Sequence, residues 1–531
     1  MQSRSSDRLP ALRVSNTENE VTAQKQRQVD YVHHAVPLTA RVGRWQLTMS
    51  YWSLISAMCW VFFGALASTL YGTEAALIAL AATIAVMSIL SPLFTKVSSR
   101  GGLSTTQMSR KPLGLVGGFL TSLMMAALVT YYTVFESSTL AVSLKLYFHV
   151  APMWVWYGLV TLAILPLMLG SVQTWMARLN GLLLPIYVLG IAIVIGLTVM
   201  HSDQGMAWLH FGGVVPAAAQ PIPAWAMAFC MLMGTWPLIP TATDVARFGK
   251  IEDEKFNDHV TFGFLFYLWL YAGNGLIGIY LVHSMLPTDP TQETGVVQAI
   301  LAAGGLFGLI LILVTQTRIS TFNFYESSMN FERFFAGALG IKLGRMTWVV
   351  VVGILAFVLM LTDVFSYVLR ALQWQSAFFV GWIAILAIHL MLNPKERTSG
   401  MEFRANRVPM VTPGLFSWLI SSGIGIWLIE GRSVPPLAHA LASPLTFVIA
   451  GALYLVSLLF TSKSKRGHAS DVRDEVGNYM GTWVTCEACD STHTAYAMDR
   501  DPNTGLPVCD ECATAVRVGV REAVTRANAV A

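Results

Sequence analysis

Long apolar runs separated by short polar segments fill most of the chain. Each run holds about 20 residues, the length that crosses a bilayer as an α-helix. The pattern predicts twelve membrane-spanning helices, and the expected fold class is an all-α polytopic membrane protein. The spans are expected near residues 47–70, 75–95, 113–140, 153–170, 180–200, 223–243, 259–282, 303–327, 347–362, 366–392, 412–429 and 441–461.

The composition agrees with a chain that lies mostly in lipid. Of the 531 residues, 54% are hydrophobic and 12% are charged, whereas a soluble domain carries about 25% charged residues. These values exclude a soluble globular protein, a disordered chain and a basic nucleic-acid-binding protein. The lipid bilayer is therefore the expected surrounding, and no nucleic acid is expected as a partner.

The basic residues of the loops predict the orientation in the membrane. One set of loops carries Lys145 and Arg432, and the other set carries most of the remaining loop Lys and Arg. The richer set is Lys96, Arg100, Arg110, Lys111, Arg178, Arg247, Lys250, Lys255, Arg333, Lys342, Arg345, Lys395, Arg397, Arg404 and Arg407. Because cytoplasmic loops are enriched in Lys and Arg, this set is expected to face the cytoplasm. An even number of spans then places both termini there, which predicts a multi-pass protein of the cytoplasmic (plasma) membrane.

Polar segments also divide the chain into parts. Residues 1–46 are expected to form a cytoplasmic tail, 47–461 the membrane domain, 462–480 a linker and 481–531 a small cytoplasmic domain. The N-terminal stretch contains no short apolar core followed by a small-residue cleavage site. It is therefore not expected to be a removable signal peptide.

Three charged residues fall inside predicted spans, where a charge is costly unless it faces protein or water. Glu136, Arg318 and Glu326 are therefore candidate functional residues. Glu136 lies about nine residues, or about 14 Å, outward of the centre of its span, so lining an outer vestibule is an equal alternative. Glu326 lies near the cytoplasmic end of its span, which favours a solvated or capping residue.

Arg318 differs because it lies near the middle of the eighth span, in the polar stretch 315–323. Such a stretch needs polar partners. An ion pair with Glu136 is not expected, because the estimated depths place the two residues about 20 Å apart along the membrane normal. Backbone carbonyls of a broken neighbouring helix are the expected alternative.

Two spans carry signs of a broken helix. The sixth contains Pro237 and Pro240 after Gly234, and proline removes a backbone donor and disfavours helical geometry in the residue before it. Irregular backbone is tolerated at membrane depth where it lines a cavity or is buried in protein, which favours a binding site over a packing kink. The first span is interrupted more weakly at residues 56–60, where a small-residue packing face is the alternative.

Three motifs follow one another along the chain: Val-Pro-Leu-Thr-Ala-Arg at 36–41, Ser-Arg-Lys-Pro-Leu-Gly-Leu-Val-Gly-Gly at 109–118 and Asp-Val-Ala-Arg-Phe-Gly at 244–249. Their order and placement resemble the nucleobase:cation symporter family, which includes bacterial cytosine, hydantoin and allantoin permeases. The resemblance covers residues 36–392. It implies two inverted five-helix repeats plus two further helices, and a permease that imports a planar, nucleobase-like heterocycle by alternating access.

The resemblance also implies where the substrate binds. In the family, an aromatic residue after the glycine of helix six and another in helix three sandwich the ring, and Trp236 and Tyr132 match these positions. Val129 stands where the family usually has a glutamine, which argues against cytosine and for a less polar or differently substituted ring. The helix-eight asparagine position is occupied by Phe322, beside Asn323. The expected substrate-binding residues are Ala57, Cys59, Tyr132, Gly234, Thr235, Trp236 and Asn323.

The resemblance leaves the coupling ion open. The family holds sodium between helices one and eight, and Ser320 and Thr321 can fill this role. Arg318 has no counterpart in that pattern, and its guanidinium would repel sodium and could replace it. We therefore expect sodium-independent transport, proton-coupled or uniport, with Arg318 holding the break in helix one and Glu136 as a further ion-coupling candidate. Sodium coupling through Ser320, Thr321 and the carbonyls near Ala57 is the alternative.

Two C-x-x-C pairs stand in the polar C-terminal region, Cys486 with Cys489 and Cys509 with Cys512. About 19 residues separate the pairs, a spacing typical of zinc sites, and four thiolates complete a structural tetrahedral Zn²⁺ site. A zinc-ribbon-like domain is therefore predicted. Redox chemistry is disfavoured because no βαβ pattern surrounds the pairs, and disulfides are disfavoured in the cytosol. Docking of a cytoplasmic protein partner, gating and tail stability all remain open as its role.

Two other classes of function compete with a transporter. A membrane enzyme needs a cluster of acid, base, nucleophile or metal-binding groups, whereas His149, His210 and His389 are scattered along the chain. No catalytic residues are therefore expected. A membrane sensor that signals through the zinc-binding tail is the other alternative, because a sensor can keep the binding helices of a transporter without carrying substrate.

Overall fold

The protein is described by a computed structural model over residues 9–28, 30–169, 172–286, 294–362, 364–460 and 470–520. Within these residues, nine helices are long and apolar enough to cross a membrane, a bent pair adds a tenth, and two shorter apolar helices complete the predicted twelve. They are α1 (Arg44–Ser56 and Met58–Tyr71), α2 (Thr73–Gly101), α3 (Thr105–Phe148), α4 (Met153–Met168), α5 (Val172–His201), α6 (Ala224–Ala246), α7 (Ile251–Met285), α8 (Gly295–Leu339), α9 (Arg345–Met360), α10 (Val364–Leu392), α11 (Pro413–Glu430) and α12 (Ala442–Phe460). The all-α polytopic fold class is confirmed.

Local sequence signals fix several helix ends. Ser104 and Gln107 form a capping box at the start of α3, in which each side chain accepts from the other residue's backbone N–H. Gly72 connects α1 to α2 in a single residue with a φ of 93°, which a residue with a Cβ rarely adopts. These signals set the short connection after α1 and the start of α3.

Several helices are longer than the sequence predicts, and α3 and α8 exceed their predicted spans the most. α3 is expected over 113–140 but runs over Thr105–Phe148, with a break at Gly114. α8 is expected over 303–327 but continues to Leu339. Residues 141–148 mix polar and apolar side chains, so the apolar run of α3 ends before the helix does. Counted from the residue after the break at Gly114 to Phe148, the continuous part of α3 is centred between residues 131 and 132, nearer to Glu136 than the centre of the predicted run between 126 and 127.

The helices α1 to α9 form two bodies, and α10 packs beside them. The first body consists of α1, α2, α6 and α7: α2 packs against the other three, and α1 packs against α7. The second body consists of α3, α4, α5, α8 and α9: α8 packs along α3 and contacts α5 and α9, and α4 packs against α3. α10, α11 and α12 pack on one another. A site at the interruptions of α1 and α6 therefore faces the second body.

The C-terminal region forms a small unit of short strands and one helix. Its elements are β2 (Trp483–Thr485), β3 (Thr492–Thr494), β4 (Met498–Arg500), β5 (Pro507–Cys509) and α13 (Asp510–Arg517), preceded in the chain by β1 (Val14–Ser15) of the N-terminal segment. β1, β2 and β3 form one antiparallel sheet, with Val14 opposite Val484, and β4 pairs with β5. Residues 470–520 are named the ribbon, and the end of the helix bundle on which they pack is named the tail face.

The ribbon shares a hydrophobic core with the membrane domain. Val472 and Val484 of the ribbon are fully buried together with Leu115 of α3. Asp471 lies 2.6 Å from the guanidinium of Arg404 in the loop after α10. The described part of the expected linker is therefore packed against the rest of the protein.

Candidate functional site

A central cavity lies where the broken part of α1 faces α3, α6 and α8. Its volume is about 460 Å³, and five predicted binding residues line it: Ala57, Cys59, Tyr132, Thr235 and Asn323. The break consists of a 3₁₀ turn over Trp52–Ser56 followed by extended Ala57, and the helix axis bends by 45°. The weaker of the two sequence signals thus marks the larger break.

α6 is irregular at the predicted position but remains a single span. A 3₁₀ turn over Met233–Thr235 joins the segments Ala224–Leu232 and Leu238–Ala246. Gly234 lies against α10, where an added Cβ would come within 2.3 Å of the Leu372 carbonyl oxygen. Gly234 is therefore explained by the close approach of α10 rather than by contact with a substrate.

Trp236 points away from the central cavity. Its ring packs edge-on against Phe229 of α6 and Phe447 of α12. Because a 3₁₀ turn is wound more tightly than an α-helix, Thr235 and Pro237 face the cavity in its place. The predicted stacking of a substrate on Trp236 does not fit this arrangement.

Trp60 supplies an aromatic wall that the sequence assigned to Trp236. It lies in the first turn after the break in α1, lines the cavity and packs edge-on against Tyr271 of α7. Tyr132 lines the cavity from α3, and its hydroxyl donates to Gln375 Oε1 at 3.1 Å. The buried indole N–H of Trp60 has no hydrogen-bond partner among the described residues. Its position at the end of the interrupted stretch 56–60 of the first span is the sequence signal that could have identified it.

Glu136 reaches the break in α1 rather than an outer vestibule. It is fully buried, and its carboxylate accepts from the Cys59 backbone N–H at 3.3 Å and from Gln316 Nε2 at 2.5 Å. Cys59 begins a half-helix, where backbone donors lack partners and a negative charge is stabilised. The predicted depth is wrong because the continuous part of α3 runs from the break at Gly114 to Phe148, which places its middle nearer to Glu136.

Arg318 binds the other side of the same break. It is 1% exposed, and its Nη2 donates to the Trp52 carbonyl at 3.1 Å. This is a backbone carbonyl of a broken neighbouring helix, the kind of partner that the sequence favoured. Gln316, two residues earlier in α8, binds Glu136, so the estimated separation of about 20 Å between the two charges is wrong.

A second carbonyl of the broken segment is bound by an uncharged side chain. Nδ2 of Asn274 on α7 donates to the Ile55 carbonyl at 2.8 Å, and its Oδ1 accepts from the hydroxyl of Tyr187 on α5. Asn274 is one polar residue in an ordinary apolar run, so no sequence pattern marks it as a binding residue. The C-terminal end of the first half of α1 is thus held from both bodies.

The polar residues of α8 differ in what they already bind. The Thr321 hydroxyl donates to the Arg318 carbonyl of its own helix at 2.7 Å. The Ser320 hydroxyl is buried and has no hydrogen-bond partner in the described part of the chain. Asn323 lines the central cavity beside Phe322. Ser320 and Asn323 are therefore the α8 groups best placed to bind an ion or a ligand.

A second cavity, of about 560 Å³, lies between the central cavity and the tail face. Phe322 lines both cavities. Ser50 of α1, Asp244 of α6 and Glu326 of α8 line the second one. Glu326 is 1% exposed and accepts from Asn330 Nδ2 at 3.3 Å. The expectation of a solvated or capping residue is wrong because α8 continues well beyond Glu326 and buries it.

The Asp-x-x-Arg motif at the end of α6 joins the two bodies at the tail face. Asp244 accepts from Arg333 Nη1 of α8 and from the backbone N–H of Thr105 at the start of α3, each at 2.9 Å. Arg247 is fully buried and donates to the carbonyls of Asp30 and Tyr31, each at 3.0 Å. The motif therefore serves contacts at the tail face and does not line the central cavity.

The four cysteines of the ribbon come together. Their sulfur atoms all lie within 4.8 Å of one another, and those of Cys489 and Cys509 are 3.9 Å apart. Thiolates at about 2.3 Å from a tetrahedral zinc ion lie about 3.8 Å from one another. The backbone N–H of Cys509 also donates to Cys486 Sγ at 3.2 Å, which stabilises a thiolate. The donor set and its spacing fit Zn²⁺.

Comparisons with known proteins found relatives in structure alone. No family model and no curated protein matches the chain. Mhp1, a nucleobase-cation-symport-1 family transporter solved in a closed conformation with bromovinylhydantoin bound, is 14% identical and covers 82% of this chain and 96% of its own, with a TM-score of 0.63. Inward-facing Mhp1 is also 14% identical and covers 83% of this chain and 96% of its own, with a TM-score of 0.62.

A Na⁺-coupled sialic acid symporter in a substrate-bound, outward-open state is a further neighbour. It is 10% identical and covers 83% of this chain and 96% of its own, with a TM-score of 0.53. At such identities the similarity establishes the fold. The predicted inverted-repeat transporter fold is confirmed, and so, at the level of fold, is the resemblance to nucleobase:cation symporters: this chain has the fold of Mhp1.

Proposed function

We propose that this protein is a secondary active transporter that carries a planar, nucleobase-like heterocycle through the membrane by alternating access. The observation that carries the proposal is the central cavity, which is lined by the broken segment of α1 and faces the 3₁₀ turn of α6. Broken helices present backbone donors and acceptors near the middle of the membrane, where transporters bind their substrates. Mhp1, which shares the fold, was solved with bromovinylhydantoin bound.

The lining of the cavity favours a flat ring with few polar groups. Trp60 and Tyr132 offer aromatic faces on which a heterocycle stacks. The Asn323 amide and the Trp60 indole N–H can bind the polar edge of the ring. Val129 presents an apolar surface, which leaves a polar group opposite it without a partner. A less polar or differently substituted ring therefore suits the cavity better than cytosine.

A ligand screen tests the substrate class. We expect at least one ring among purines, pyrimidines, hydantoins and allantoin to raise the melting temperature of the purified protein. The same ring should accumulate in vesicles with saturable kinetics. Saturable binding without accumulation would favour the sensor, and the absence of both binding and uptake for all of these rings would contradict the substrate class.

The proposed transport does not require sodium. The Arg318 guanidinium donates to the Trp52 carbonyl, and a fixed positive charge there repels a second cation in a medium of low dielectric constant. Uptake should be similar in sodium and in choline media. Strong stimulation by sodium would favour the alternative, in which Ser320, Thr321 and carbonyls near Ala57 bind the ion. The sodium-coupled sialic acid symporter among the structural neighbours is the reason to test this alternative.

Glu136 is the proposed proton carrier if transport is coupled to protons. Its carboxylate lines the central cavity and also binds the Cys59 N–H at the break in α1. Protonation would remove the negative charge that stabilises the start of this half-helix. Substrate binding and the position of α1 can thus both depend on the charge of Glu136. Uptake driven by an imposed pH gradient separates proton coupling from uniport.

The four ribbon cysteines are proposed to hold a structural zinc ion. A closed four-thiolate site supplies folding stability and leaves no coordination position for a substrate. Metal analysis of the purified protein should give one zinc per chain. Cys486→Ser should lower this value, with Cys230→Ser as the matched control because Cys230 lies in α6. Equal zinc content in the two variants would contradict the site.

The proposed location is the cytoplasmic membrane, with both termini in the cytoplasm. The basic residues Arg110, Lys342 and Arg404 contact the ribbon at the tail face, and cytoplasmic loops are enriched in such residues. Reporter fusions after α11 and after α12 should report opposite sides of the membrane. A reporter after α12 that is active outside the cell would contradict this orientation.

A further inference from the structure

The two bodies meet at the tail face through a small buried cluster, named the seam. Asp244 of the first body binds Arg333 and the N–H of Thr105 of the second body. The side chains of Asp244 and Arg333 are 0% and 2% exposed. Ser50 and Glu326 line the second cavity beside this cluster. The seam therefore closes the side of that cavity formed by α6 and α8, while Gln46 of α1, which also lines it, is exposed. Separation of the two bodies at the seam would uncover the buried part of the cavity.

A segment of the N-terminal region lies across the seam. This segment, residues 30–36, is named the strap. Arg247 of the first body donates to two of its carbonyls, and Nε of Arg333 in the second body donates to the Val32 carbonyl at 3.2 Å. The strap is thus bound to both bodies and must lose contacts with one of them if they separate.

The ribbon holds the strap next to its cysteine cluster. The ring of His34 in the strap packs edge-on against the ring of His493, with centroids 4.2 Å apart. His34 Nε2 also lies 3.6 Å from Glu511 Oε2. Donor atoms of His34, His493 and Cys509 all lie within 4.8 Å of one another. The strap therefore contacts the ribbon at the metal-binding residues themselves.

The same part of the ribbon forms ion pairs with the second body. Asp510 accepts from Arg110 Nη1 of α3 at 2.6 Å, and Glu511 accepts from the ammonium group of Lys342, just after α8, at 2.5 Å. The side chains of Arg110 and Asp510 are 8% and 1% exposed. Asp510 and Glu511 are the two residues between the ligands Cys509 and Cys512. Zinc binding by these cysteines would therefore fix both carboxylates in place.

We infer that the metal-loaded ribbon is a latch that holds the strap over the seam and stabilises the conformation in which the tail face is closed. This rests on the proposed alternating access and on the proposed zinc site. The metal fixes the fold of the second C-x-x-C pair. The carboxylates of Asp510 and Glu511, which lie between these two cysteines, anchor the ribbon to α3 and α8. The ribbon in turn holds the strap at His34. A ligand that binds one conformation better than the other shifts their populations, so loss of zinc shifts the protein toward opening at the tail face.

Chemical labelling of the second cavity tests the latch without requiring transport. Leu47→Cys places a thiol in this cavity at a side chain that is 2% exposed. Its reaction with a maleimide is followed by mass spectrometry of that peptide in vesicles with the tail face outward. Two variants are compared in this background: Cys486→Ser, which removes a zinc ligand, and Asp510→Ala with Glu511→Ala, which keeps all four cysteines. Arg370→Ala is the control, because its ion pair with Glu430 lies away from the tail face and its side chain is 61% exposed.

We expect both ribbon variants to label faster by about fivefold or more, the lower end of typical coupling between sites, while the control labels at the original rate. Zinc content should fall in Cys486→Ser and stay at one per chain in the double variant. Unchanged labelling in both ribbon variants would overturn the latch. Faster labelling in Cys486→Ser alone would also overturn it, because it would indicate general loss of structure rather than release of the carboxylate contacts. Failure of transport itself would appear in uptake assays and leave the labelling result unaffected.

Discussion

Glu136 and Arg318 hold opposite ends of one helix break. The Glu136 carboxylate accepts from the Cys59 N–H at 3.3 Å, at the start of the second half of α1, and Arg318 donates to the Trp52 carbonyl at 3.1 Å, near the end of the first half. A half-helix is positive at its N-terminus and negative at its C-terminus. Each charge therefore stabilises the end to which it is bound, and the break needs both.

Arg318→Ala should make the protein sensitive to sodium. Removal of the guanidinium leaves the Trp52 carbonyl without this donor, which should lower stability by about 1–3 kcal/mol. If Arg318 stands in for an ion, sodium should raise the melting temperature of the variant and leave that of the wild type unchanged. Arg370→Ala is the control, because its ion pair with Glu430 is exposed and contributes little to stability. If sodium does not change the melting temperature of Arg318→Ala, Arg318 does not stand in for a sodium ion.

Glu136→Gln should separate exchange from accumulation. The amide keeps the size of the side chain but cannot take up and release a proton. We expect accumulation driven by a pH gradient to be lost and equilibrium exchange of labelled substrate to be retained. Glu326→Gln, the same substitution in the second cavity, is the matched control. Undiminished accumulation in Glu136→Gln would exclude Glu136 as the proton carrier.

Trp60→Leu and Trp236→Leu should differ in their effects on the substrate. Stacking of a base on an aromatic side chain contributes about 1–3 kcal/mol, so Trp60→Leu should weaken binding by about tenfold or more. Trp236→Leu should lower the melting temperature through lost contacts with Phe229 and Phe447 while leaving the affinity nearly unchanged. Thermal shifts at a series of ligand concentrations measure both quantities. The opposite ranking would restore Trp236 as the stacking residue.

The contacts of the ribbon should weaken in acid. Burial alone would raise the pKa of Glu402, but hydrogen bonds from Arg404 and the charge of Arg473 lower the pKa to about 2. Because this pKa lies below the unfolded value of about 4.3, the carboxylate stabilises the docked ribbon above about pH 4.3, and this contribution is lost as the pH falls toward about 2.

Hydrogen exchange in β4 measures this contribution. Glu402→Gln should exchange faster than the wild type at pH 6, and the difference should shrink as the pH is lowered to 3. Glu252→Gln, at a side chain that is 73% exposed, should show no difference at either pH. A difference between Glu402→Gln and wild type that stays constant with pH would contradict the lowered pKa.

The number and order of membrane helices could be predicted because each apolar run is local and long. The depth of a residue within a helix could not be predicted. α3 breaks at Gly114 and continues through the partly polar residues 141–148, so the middle of its continuous part lies nearer to Glu136 than the apolar run indicates. Which aromatic ring faces the cavity also escaped prediction. The winding of Met233–Thr235 as a 3₁₀ turn turns Trp236 aside, and no sequence pattern specified that winding.

The clustering of the four ribbon cysteines could be predicted, because two C-x-x-C pairs at this spacing are typical of a four-thiolate zinc site. The contacts of the ribbon could not be predicted. Arg110 and Asp510 are 400 positions apart, and each looks like an ordinary loop charge in the sequence. The same holds for Arg247, whose partners are backbone carbonyls of Asp30 and Tyr31 and carry no signature in residue type.

The sheet formed by β1 and β2 has a consequence for biosynthesis. Val14 pairs with Val484, and the helices α1 to α12 lie between these residues in the chain. The ribosome must therefore synthesise all of these helices before β1 can meet its partner strand. A chain cut short before the ribbon has these helices but lacks this sheet, so closure of the strap marks a molecule in which the ribbon has been synthesised.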